Sequence, residues 1–208
     1  MPRDQLVTDW VASRFPEQSI QITPASADAS FRRYFRLTWP DGQTRILMDA
    51  PPEKEDCKPF IHVAGLLAKA DLAAPRILDK DLDNGFLVLT DLGRIGYLDA
   101  LNADLSLADM LMRPVLDVLV KWQCSSTAAT LPPYDAALLR RELDLFPEWF
   151  IGRHLGVELD DSEKTMLDRT FKFLINSALN QPKVFVHRDF MPRNLMVVES
   201  EARLTPGI

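Results

Sequence analysis

The N-terminal part of the chain carries the hydrophobic pattern of a sheet. Apolar or alternating runs stand at residues 20–22, 34–39, 45–48 and 86–89. The turn-forming pairs Asp41-Gly42 and Asn84-Gly85 punctuate these runs, as is typical of antiparallel hairpins. Apolar residues also recur at helical spacing between Phe60 and Ala68. The pattern predicts an antiparallel sheet that one helix interrupts.

The pattern changes after Gly93, where apolar residues begin to follow a helical period. Three long helices are predicted, at residues 107–121, 136–155 and 162–179, with a Pro-rich break at 131–134. The change falls at a short connector, residues 90–93. We therefore expect an α+β fold with two lobes, residues 1–93 and residues 94–208.

Composition and charge disfavour several classes of partner. The 208-residue chain has a formal net charge of -6 and a pI near 5.1, so it offers no basic stripe to nucleic acid. Its apolar runs are far shorter than the roughly 18 residues of a membrane span, and residues 1–10 lack the pattern of a signal peptide. The distant Cys57 and Cys124 indicate neither a disulfide framework nor a zinc site. We expect a cytoplasmic protein that binds small molecules and neither nucleic acid nor membrane.

Near the end of the chain, His187-Arg188-Asp189 is followed five positions later by Asn194. This is the H-R-D-x-x-x-x-N pattern of kinase catalytic loops, in which the aspartate accepts the substrate proton and the asparagine holds magnesium. The flanking runs 184–186 and 195–198 have the pattern of short buried strands. The pattern predicts Asp189 as catalytic base and Asn194 as metal ligand. Taken singly, these residues also fit a solvated turn, a core histidine and a strand cap.

Together with this loop, four segments resemble the aminoglycoside phosphotransferase and choline-kinase-like family, and within it the bacterial anomeric kinases of N-acetylmuramate and N-acetylglucosamine. The segments are DASFRRYF (28–35), LMDAPPE (47–53), VLTDLG (88–93) and ELDLFPEW (142–149). The resemblance covers nearly the whole chain. It implies a protein-kinase-like two-lobe fold, with an antiparallel-sheet N-lobe for the nucleotide and a mostly helical C-lobe. It also implies ATP and Mg²⁺ as cofactors.

The resemblance assigns nucleotide-binding positions in two segments. They are Ser30, Phe31 and Arg32, and Thr90, Asp91 and Leu92. The first three fall where the family turns a phosphate-covering hairpin, although residues 27–32 contain no glycine here. Backbone N–H groups and serine hydroxyls, including that of Ser26, can still hold phosphate oxygens in such a turn. The last three match the linker whose backbone receives the adenine edge. An ordinary polar hairpin and a plain interlobe turn are the alternatives.

Two departures from the family pattern stand out. The third strand of most members supplies a lysine to the nucleotide phosphates, and Met48 occupies that position here. The resembling sugar kinases share this apolar residue, and the candidates for another cation are Arg32, Arg33 and Lys54. Kinase-like enzymes also hold magnesium with a second aspartate beyond the catalytic loop, but no aspartate follows Asp189. We therefore expect that these 208 residues are a truncated chain with little activity on its own.

The predicted helix at 140–154 offers candidates for substrate binding. Glu142 and Trp149 are seven residues apart and would share one side of an α-helix. Arg188, or alternatively Arg193, could bind the lactyl carboxylate of N-acetylmuramate, because arginine binds carboxylates through two hydrogen bonds. An amphipathic helix with a structural tryptophan is the alternative for this segment.

The function that the resemblance implies is ATP-dependent phosphorylation of the anomeric hydroxyl of N-acetylmuramate or N-acetylglucosamine, in cell-wall recycling. Two alternatives stay open. The acceptor can be a different small molecule, namely an aminoglycoside, choline or homoserine. The chain can also be an inactive fragment or pseudokinase that only binds nucleotide, since Met48 replaces the lysine and the second metal aspartate is missing.

Overall fold

The computed structural model describes residues 2–16, 18–27, 30–127, 130–200 and 203–208. The chain divides into two compact units. The first joins Met1–Cys124 with His187–Ile208, and the second comprises Ser125–Val186. The catalytic-loop pattern therefore lies in the same unit as the predicted nucleotide lobe. The boundary expected at residue 93 remains a prediction.

A five-stranded antiparallel sheet forms the centre of the first unit. Its strands, in the spatial order β1-β2-β3-β5-β4, are β1 Gln21–Ala27, β2 Arg33–Thr38, β3 Thr44–Asp49, β4 Ile77–Asp81 and β5 Phe86–Thr90. Four of the five were expected. Strand β4 is an edge strand, and its sequence ILDKD alternates with charged residues, as edge strands often do.

The sheet is covered on both faces by helices. Helix α1, Arg3–Arg14, packs Val7, Trp10 and Val11 against one face. Helix α2, Cys57–Lys69, covers the other face, and it confirms the helix predicted around residues 60–68. Residues of β3 alternate between these two cores, because successive side chains of a strand point to opposite faces. Leu47 joins the α1 core and Met48 joins the α2 core.

The remainder of the first unit is helical, with a hairpin at its end. Its elements are α3 Tyr97–Ala103, a 3₁₀ turn Leu105–Leu107, α4 Ala108–Cys124, a 3₁₀ turn Pro192–Asn194, and strands β6 Met196–Ser200 and β7 Arg203–Gly207. A third core joins Tyr97, Leu111, Val115 and Leu195. Helix α4 confirms the prediction at 107–121, and β6 confirms the strand after the catalytic loop.

The strand predicted just before the catalytic loop is wrong. Residues 184–186 form no strand, and only Phe185 is buried while Val184 and Val186 are exposed. The backbone N–H of Phe185 instead donates to the Ser126 hydroxyl, at 2.5 Å. The apolar run of three residues thus buries one side chain without a sheet partner.

The second unit contains two long helical segments. Helix α5, Ala136–Leu145, continues into a π-helix, Phe146–His154, and α6 is Asp161–Leu179. The Arg140 guanidinium donates to Asp144 at 2.8 Å and to Asp168 at 2.6 Å, which joins α5 to α6. Helix α6 begins with a capping box between Asp160 and Glu163. Among the described residues, no helix is long and apolar enough to cross a membrane.

Candidate active site

The catalytic-loop pattern adopts a tight, irregular conformation between residue 187 and β6. Arg188 has a φ of 74°, in the left-handed region that non-glycine residues seldom occupy. The loop then closes in the 3₁₀ turn, where the N–H of Asn194 donates to the Met191 carbonyl at 2.9 Å. Such backbone conformations are concentrated at functional sites, because a surrounding structure must hold them in place.

Asp189 and Asn194 are in direct contact. The Asn194 amide nitrogen Nδ2 donates to Asp189 Oδ2 at 2.7 Å and to the Asp189 carbonyl at 3.0 Å. Both side chains are exposed to solvent. Because the amide nitrogen is used in this contact, the amide oxygen of Asn194 is the atom that can face a cation.

His187 packs against Phe190 of the catalytic loop. Its ring meets the edge of Phe190 at 5.3 Å between centroids, and Phe190 packs on the core around Tyr97 and Leu195. Burial lowers the pKa of His187, and the charge of Asp189 only partly opposes this shift. Nδ1 of His187 is buried and has no hydrogen-bond partner among the residues that the structure describes. The imidazole is thus neutral at pH 7 and serves packing.

Backbone hydrogen bonds tie the strand after the catalytic loop to the segment after the predicted adenine linker. The N–H of Tyr97 donates to the Leu195 carbonyl at 2.9 Å, and the N–H of Val197 donates to the Ile95 carbonyl at 2.8 Å. An isolated bridge pairs Gly96 with Met196 between them. The two candidate ligand-binding segments of this unit are therefore connected through a short stretch of backbone.

The linker itself is braced by an ion pair that sequence reasoning did not find. Arg36 donates to the Asp91 carboxylate at 2.6 and 3.0 Å and to the Gly93 carbonyl at 2.6 Å. Burial acts to raise the pKa of Asp91, but Arg36 and the Gly93 N–H outweigh it and lower the pKa below its ordinary value. The carboxylate of Asp91 is therefore engaged in hydrogen bonds to Arg36 and Gly93 of the protein itself. A role in nucleotide binding would fall to its backbone.

The other two linker residues, Thr90 and Leu92, differ in their hydrogen bonds. The Thr90 hydroxyl accepts from the Arg76 N–H at 2.9 Å, so this side chain also braces the linker. In the described part of the chain, the backbone N–H and C=O of Leu92 make no hydrogen bond. An available pair of backbone groups is what recognition of an adenine edge requires.

The hairpin between β1 and β2 is held at its tip by a glutamate. The Phe31 N–H donates to Glu55 Oε1 and Arg32 Nε donates to Glu55 Oε2, both at 3.2 Å. The Ser30 hydroxyl accepts from the Arg32 N–H at 3.2 Å, and Lys54 lies over the exposed Phe31 ring. The predicted phosphate-covering turn also includes residues 28–29, which lie outside the described residues, as does the side chain of Ser26.

The buried carboxylate of Asp49, next to Met48 in sequence, binds another arginine of this region, Arg33. Asp49 is fully buried, and it accepts from Arg3 at 2.8 and 2.6 Å and from Arg33 at 3.0 and 2.6 Å. Arg33 also pairs with Asp4. Arg33, one of the candidate cations for the phosphates, is therefore occupied by carboxylates of its own unit. Met48 is fully buried in the α2 core.

Most of the chain matches a known protein family. The model of the phosphotransferase enzyme family matches residues 21–205. The chain belongs to this family. The chain is similar to N-acetylmuramate/N-acetylglucosamine kinases, with 51% identity over 99% of the chain for the protein of Pseudomonas aeruginosa and 53% over 90% for that of Pseudomonas putida. The Neisseria meningitidis protein is 38% identical over 100% of the chain. These matches span 62%, 53% and 61% of the relatives' own lengths.

Solved structures of more distant phosphotransferases share the fold of this family member. The streptomycin-ATP-APH(2'')-IIa ternary complex is similar with a TM-score of 0.61 at 13% identity, over 99% of this chain and 69% of that chain. A choline kinase from Cryptosporidium parvum is similar with a TM-score of 0.55 at 10% identity, over 99% of this chain and 64% of that chain. The predicted α+β, protein-kinase-like fold class is confirmed.

The second unit of this phosphotransferase-family chain holds two of the predicted substrate residues. Glu142 lies on α5, with its carboxylate 3.9 Å from Arg141, and Trp149 lies on the π-helix, half exposed under the Arg153 guanidinium at 3.8 Å. A π-helix has more residues per turn than an α-helix. The seven-residue spacing therefore no longer places Glu142 and Trp149 on one side, as an uninterrupted α-helix would. Their role, like that of the exposed Arg188, remains a prediction.

The donor set at the catalytic loop fits a magnesium ion that is shared with a nucleotide. Among the described residues, no group of three or more histidine, cysteine, aspartate or glutamate side chains could hold a metal by itself. Asp189 and Asn194 nevertheless bring a carboxylate and an amide oxygen to one exposed place. Magnesium usually binds one or two carboxylates together with substrate phosphates and water. The geometry thus suits a metal that arrives with the phosphates.

Proposed function

We propose that the chain carries the nucleotide-binding and catalytic-loop part of an ATP-dependent sugar phosphotransferase. It would transfer the γ-phosphoryl group of ATP to the anomeric hydroxyl of N-acetylmuramate or N-acetylglucosamine, in the cytoplasm, as part of cell-wall recycling. The contact between Asp189 and Asn194 carries this proposal, because it brings together the two residue types that kinase catalytic loops use as base and metal ligand. The names of the similar kinases support the choice of acceptor.

Asp189 acts in this proposal as the general base. An exposed carboxylate can accept the proton of the acceptor hydroxyl while the oxygen attacks the γ-phosphorus. The hydrogen bond from Asn194 Nδ2 fixes the orientation of this carboxylate, and it turns the amide oxygen into the metal-facing group. Bound Mg²⁺ supplies charge neutralisation between the phosphates.

The nucleotide would lie along the first unit. The backbone groups of Leu92, which bond to none of the described residues, suit the adenine edge, and the Arg36–Asp91 pair braces the linker. Ser30, Phe31 and Arg32 at the hairpin tip would meet the phosphates. The cationic guanidinium of Arg32 matches the negative charge of the phosphates.

The acceptor would be bound by a few polar groups and one aromatic face, as is usual in small-molecule sites. Glu142 and Trp149 are the candidates for the sugar hydroxyls and the ring face. Arg188 neighbours the base and is exposed, and arginine binds carboxylates through two hydrogen bonds, so it is the candidate for a carboxylate of the acceptor. No nucleic-acid or membrane partner forms part of this proposal.

Acceptor profiling tests the proposal. ADP release by the 208-residue chain is measured with ATP, Mg²⁺ and each of N-acetylmuramate, N-acetylglucosamine, an aminoglycoside, choline and homoserine. Asp189→Asn, which keeps the side-chain shape, sets the background for each acceptor. Because we expect little activity from this chain on its own, we expect slow ADP release, above this background with the two amino sugars only. Preference for another acceptor would contradict the sugar assignment, and turnover that survives in Asp189→Asn would contradict the base assignment.

A second candidate is nucleotide binding without transfer. The observation in its favour is the buried Met48 in place of the lysine. Saturable ATP binding without ADP release above the Asp189→Asn background, for any of the five acceptors, would favour this function over the first.

A further inference from the structure

The absence of a lysine at residue 48 raises the question of which cation meets the nucleotide phosphates. Protein kinases hold these phosphates with a third-strand lysine that is itself positioned by a glutamate of the following helix. Met48 lies on the α2 side of the sheet, and Tyr34 is its direct partner on the neighbouring strand β2. A replacement cation should therefore reach this same side.

Arg32 does so. Its guanidinium interacts with the Tyr34 side chain and lies close enough to Cys57, at the start of α2, to influence the charge there. Tyr34 and Cys57 both pack in the core that contains Met48. Burial opposes the charge of Arg32, but Tyr34 and Glu55 outweigh burial and raise the pKa of the guanidinium. Arg32 is thus a permanent cation at the edge of the α2 core.

Glu55 holds this cation from the segment that leads into α2. Its Oε2 accepts from Arg32 Nε at 3.2 Å, and its Oε1 accepts from the Phe31 N–H at 3.2 Å. The Glu55 side chain is only 13% exposed and that of Arg32 is 30% exposed. A guanidinium has five N–H donors, so the described contacts of Arg32, to Glu55 and to Tyr34, leave others for an anion.

We propose that Arg32, positioned by Glu55, supplies the charge to the nucleotide phosphates that a lysine at residue 48 supplies in kinases. Compared with the lysine–glutamate pair of kinases, this pair lies one strand away. Arg32 stands one residue before β2, and Glu55 stands two residues before α2. Glu55 is the positioning residue, because it acts through Arg32. This inference rests on the proposed function in that it takes ATP as the ligand.

The other cations near the hairpin are less suited. Arg33 and Arg3 together donate four hydrogen bonds to the buried Asp49. If either arginine turned toward a ligand, one oxygen of this buried carboxylate would lose its two hydrogen bonds. Lys54 lies over the Phe31 ring on the exposed side of the tip, and its ammonium is 4.5 Å from the ring centroid. Lys54 is the rival that the experiment must separate from Arg32.

The test is calorimetric titration of ATP and of adenosine, both with Mg²⁺, into the wild-type chain and five variants. The variants are Arg32→Gln, Arg32→Lys, Glu55→Gln, Lys54→Gln and the double variant Arg32→Gln with Glu55→Gln. Lys58→Gln, an exposed cation of α2, is the control for loss of one positive charge. Thermal unfolding of each variant shows that it is folded.

We expect Arg32→Gln to weaken ATP binding roughly tenfold or more and to leave adenosine binding unchanged, since only ATP carries the phosphates. Arg32→Lys should restore part of the loss, because it returns the charge without the planar fork. Glu55→Gln should weaken ATP binding by a smaller factor, and it should have no further effect when Arg32 is already glutamine. Lys54→Gln and Lys58→Gln should bind ATP as the wild type does.

Several results would overturn the inference. Equal losses in Arg32→Gln and Lys58→Gln would reduce the effect to general charge, and a loss confined to Lys54→Gln would make Lys54 the cation. Tighter ATP binding by Glu55→Gln would show that this carboxylate repels the phosphates instead of positioning Arg32. A wild-type chain that binds neither ATP nor adenosine would contradict the proposed function itself, whereas ATP binding that Arg32→Gln leaves intact would contradict only this inference.

Discussion

Arg32 and Arg33 are neighbours in sequence, yet their surroundings differ in almost every respect. Arg33 joins Arg3 around Asp49, which is fully buried on the α1 side of the sheet and accepts four hydrogen bonds. We call this set the core clamp. Arg32 joins Glu55 on the α2 side through one longer hydrogen bond, at 3.2 Å. We call the pair of Arg32 and Glu55 the tip clasp.

The difference teaches how a charged pair can be assigned to structure or to ligand binding. In the core clamp every oxygen of Asp49 is satisfied by protein donors, so no capacity is left for a ligand. In the tip clasp the described contacts of the Arg32 guanidinium, to Glu55 and Tyr34, do not use all five of its donors, and it lies beside an exposed hairpin tip. Removing part of the core clamp should therefore cost stability, whereas removing part of the tip clasp should cost binding.

The largest loss of stability is expected from the core clamp. Asp49→Ala would leave two arginines without their shared carboxylate, and breaking a buried pair in this way costs about 3–5 kcal/mol of unfolding free energy. Urea denaturation followed by circular dichroism measures it. Asp4→Ala is the matched control, because Asp4 pairs with the same Arg33 but is exposed, and it should cost less than about 1 kcal/mol. Equal costs would show that burial is not what distinguishes the clamp.

A somewhat smaller effect is expected at the turn that supports the clamp. Asn84 presents its carbonyl to Arg3, and Gly85 follows with a φ of 72°. An added Cβ at Gly85 would lie 1.9 Å from the Ala50 carbonyl oxygen, so Gly85→Ala should cost roughly 2 kcal/mol or more in the same denaturation experiment. Gly42→Ala shares the positive φ but meets open space. A comparable loss in both variants would attribute the cost to backbone conformation alone.

Acid should weaken the brace of the linker. Arg36 and the Gly93 N–H lower the pKa of Asp91, although burial acts against them. Because the folded-state pKa lies below the ordinary value of 3.8, the stabilisation is complete above that pH and is lost as the pH falls through the folded pKa. We expect Asp91→Asn to show a shallower fall of unfolding free energy between pH 5 and pH 2 than the wild type. If the unfolding free energy of Asp91→Asn fell with pH as steeply as that of the wild type, the Arg36–Asp91 pair would not be the cause of the acid sensitivity.

The smallest change in stability is expected from the tip clasp. Glu55→Gln removes one partly exposed ion pair, so the unfolding free energy should change by less than about 1 kcal/mol. The same denaturation series as for the core clamp gives this value. A loss as large as that of Asp49→Ala would make the tip clasp a structural element and would remove the contrast between the two pairs.

Much of the fold could be predicted from periodicity, because most of its elements bury one face. The alternating runs at 34–39 and 45–48 became β2 and β3, and the stripe at 60–68 became α2. Helix α1 was missed, although Val7, Trp10 and Val11 show helical spacing. The π-helix was not predicted, because residues 136–155 were expected to form one α-helix.

The candidate site was predictable only where it follows a local motif. The spacing from Asp189 to Asn194 placed both residues in one loop, where they are hydrogen-bonded to each other, and their roles remain predictions. Glu55, Asp49 and Arg36 act through partners that are 16 or more residues away in sequence, so no local pattern reveals them. Tertiary structure was necessary to distinguish Arg32 from Arg33.

The most direct measurement of the central claim is the effect of Mg²⁺ on ATP binding by the wild-type chain and by Asn194→Ala. If the loop is a nucleotide–metal site, Mg²⁺ should strengthen ATP binding by the wild type, and this gain should largely disappear in Asn194→Ala, while adenosine binding stays the same in both. An equal gain from Mg²⁺ in both proteins, or no gain in the wild type, would contradict the assignment of Asn194 and, with it, the account of the catalytic loop.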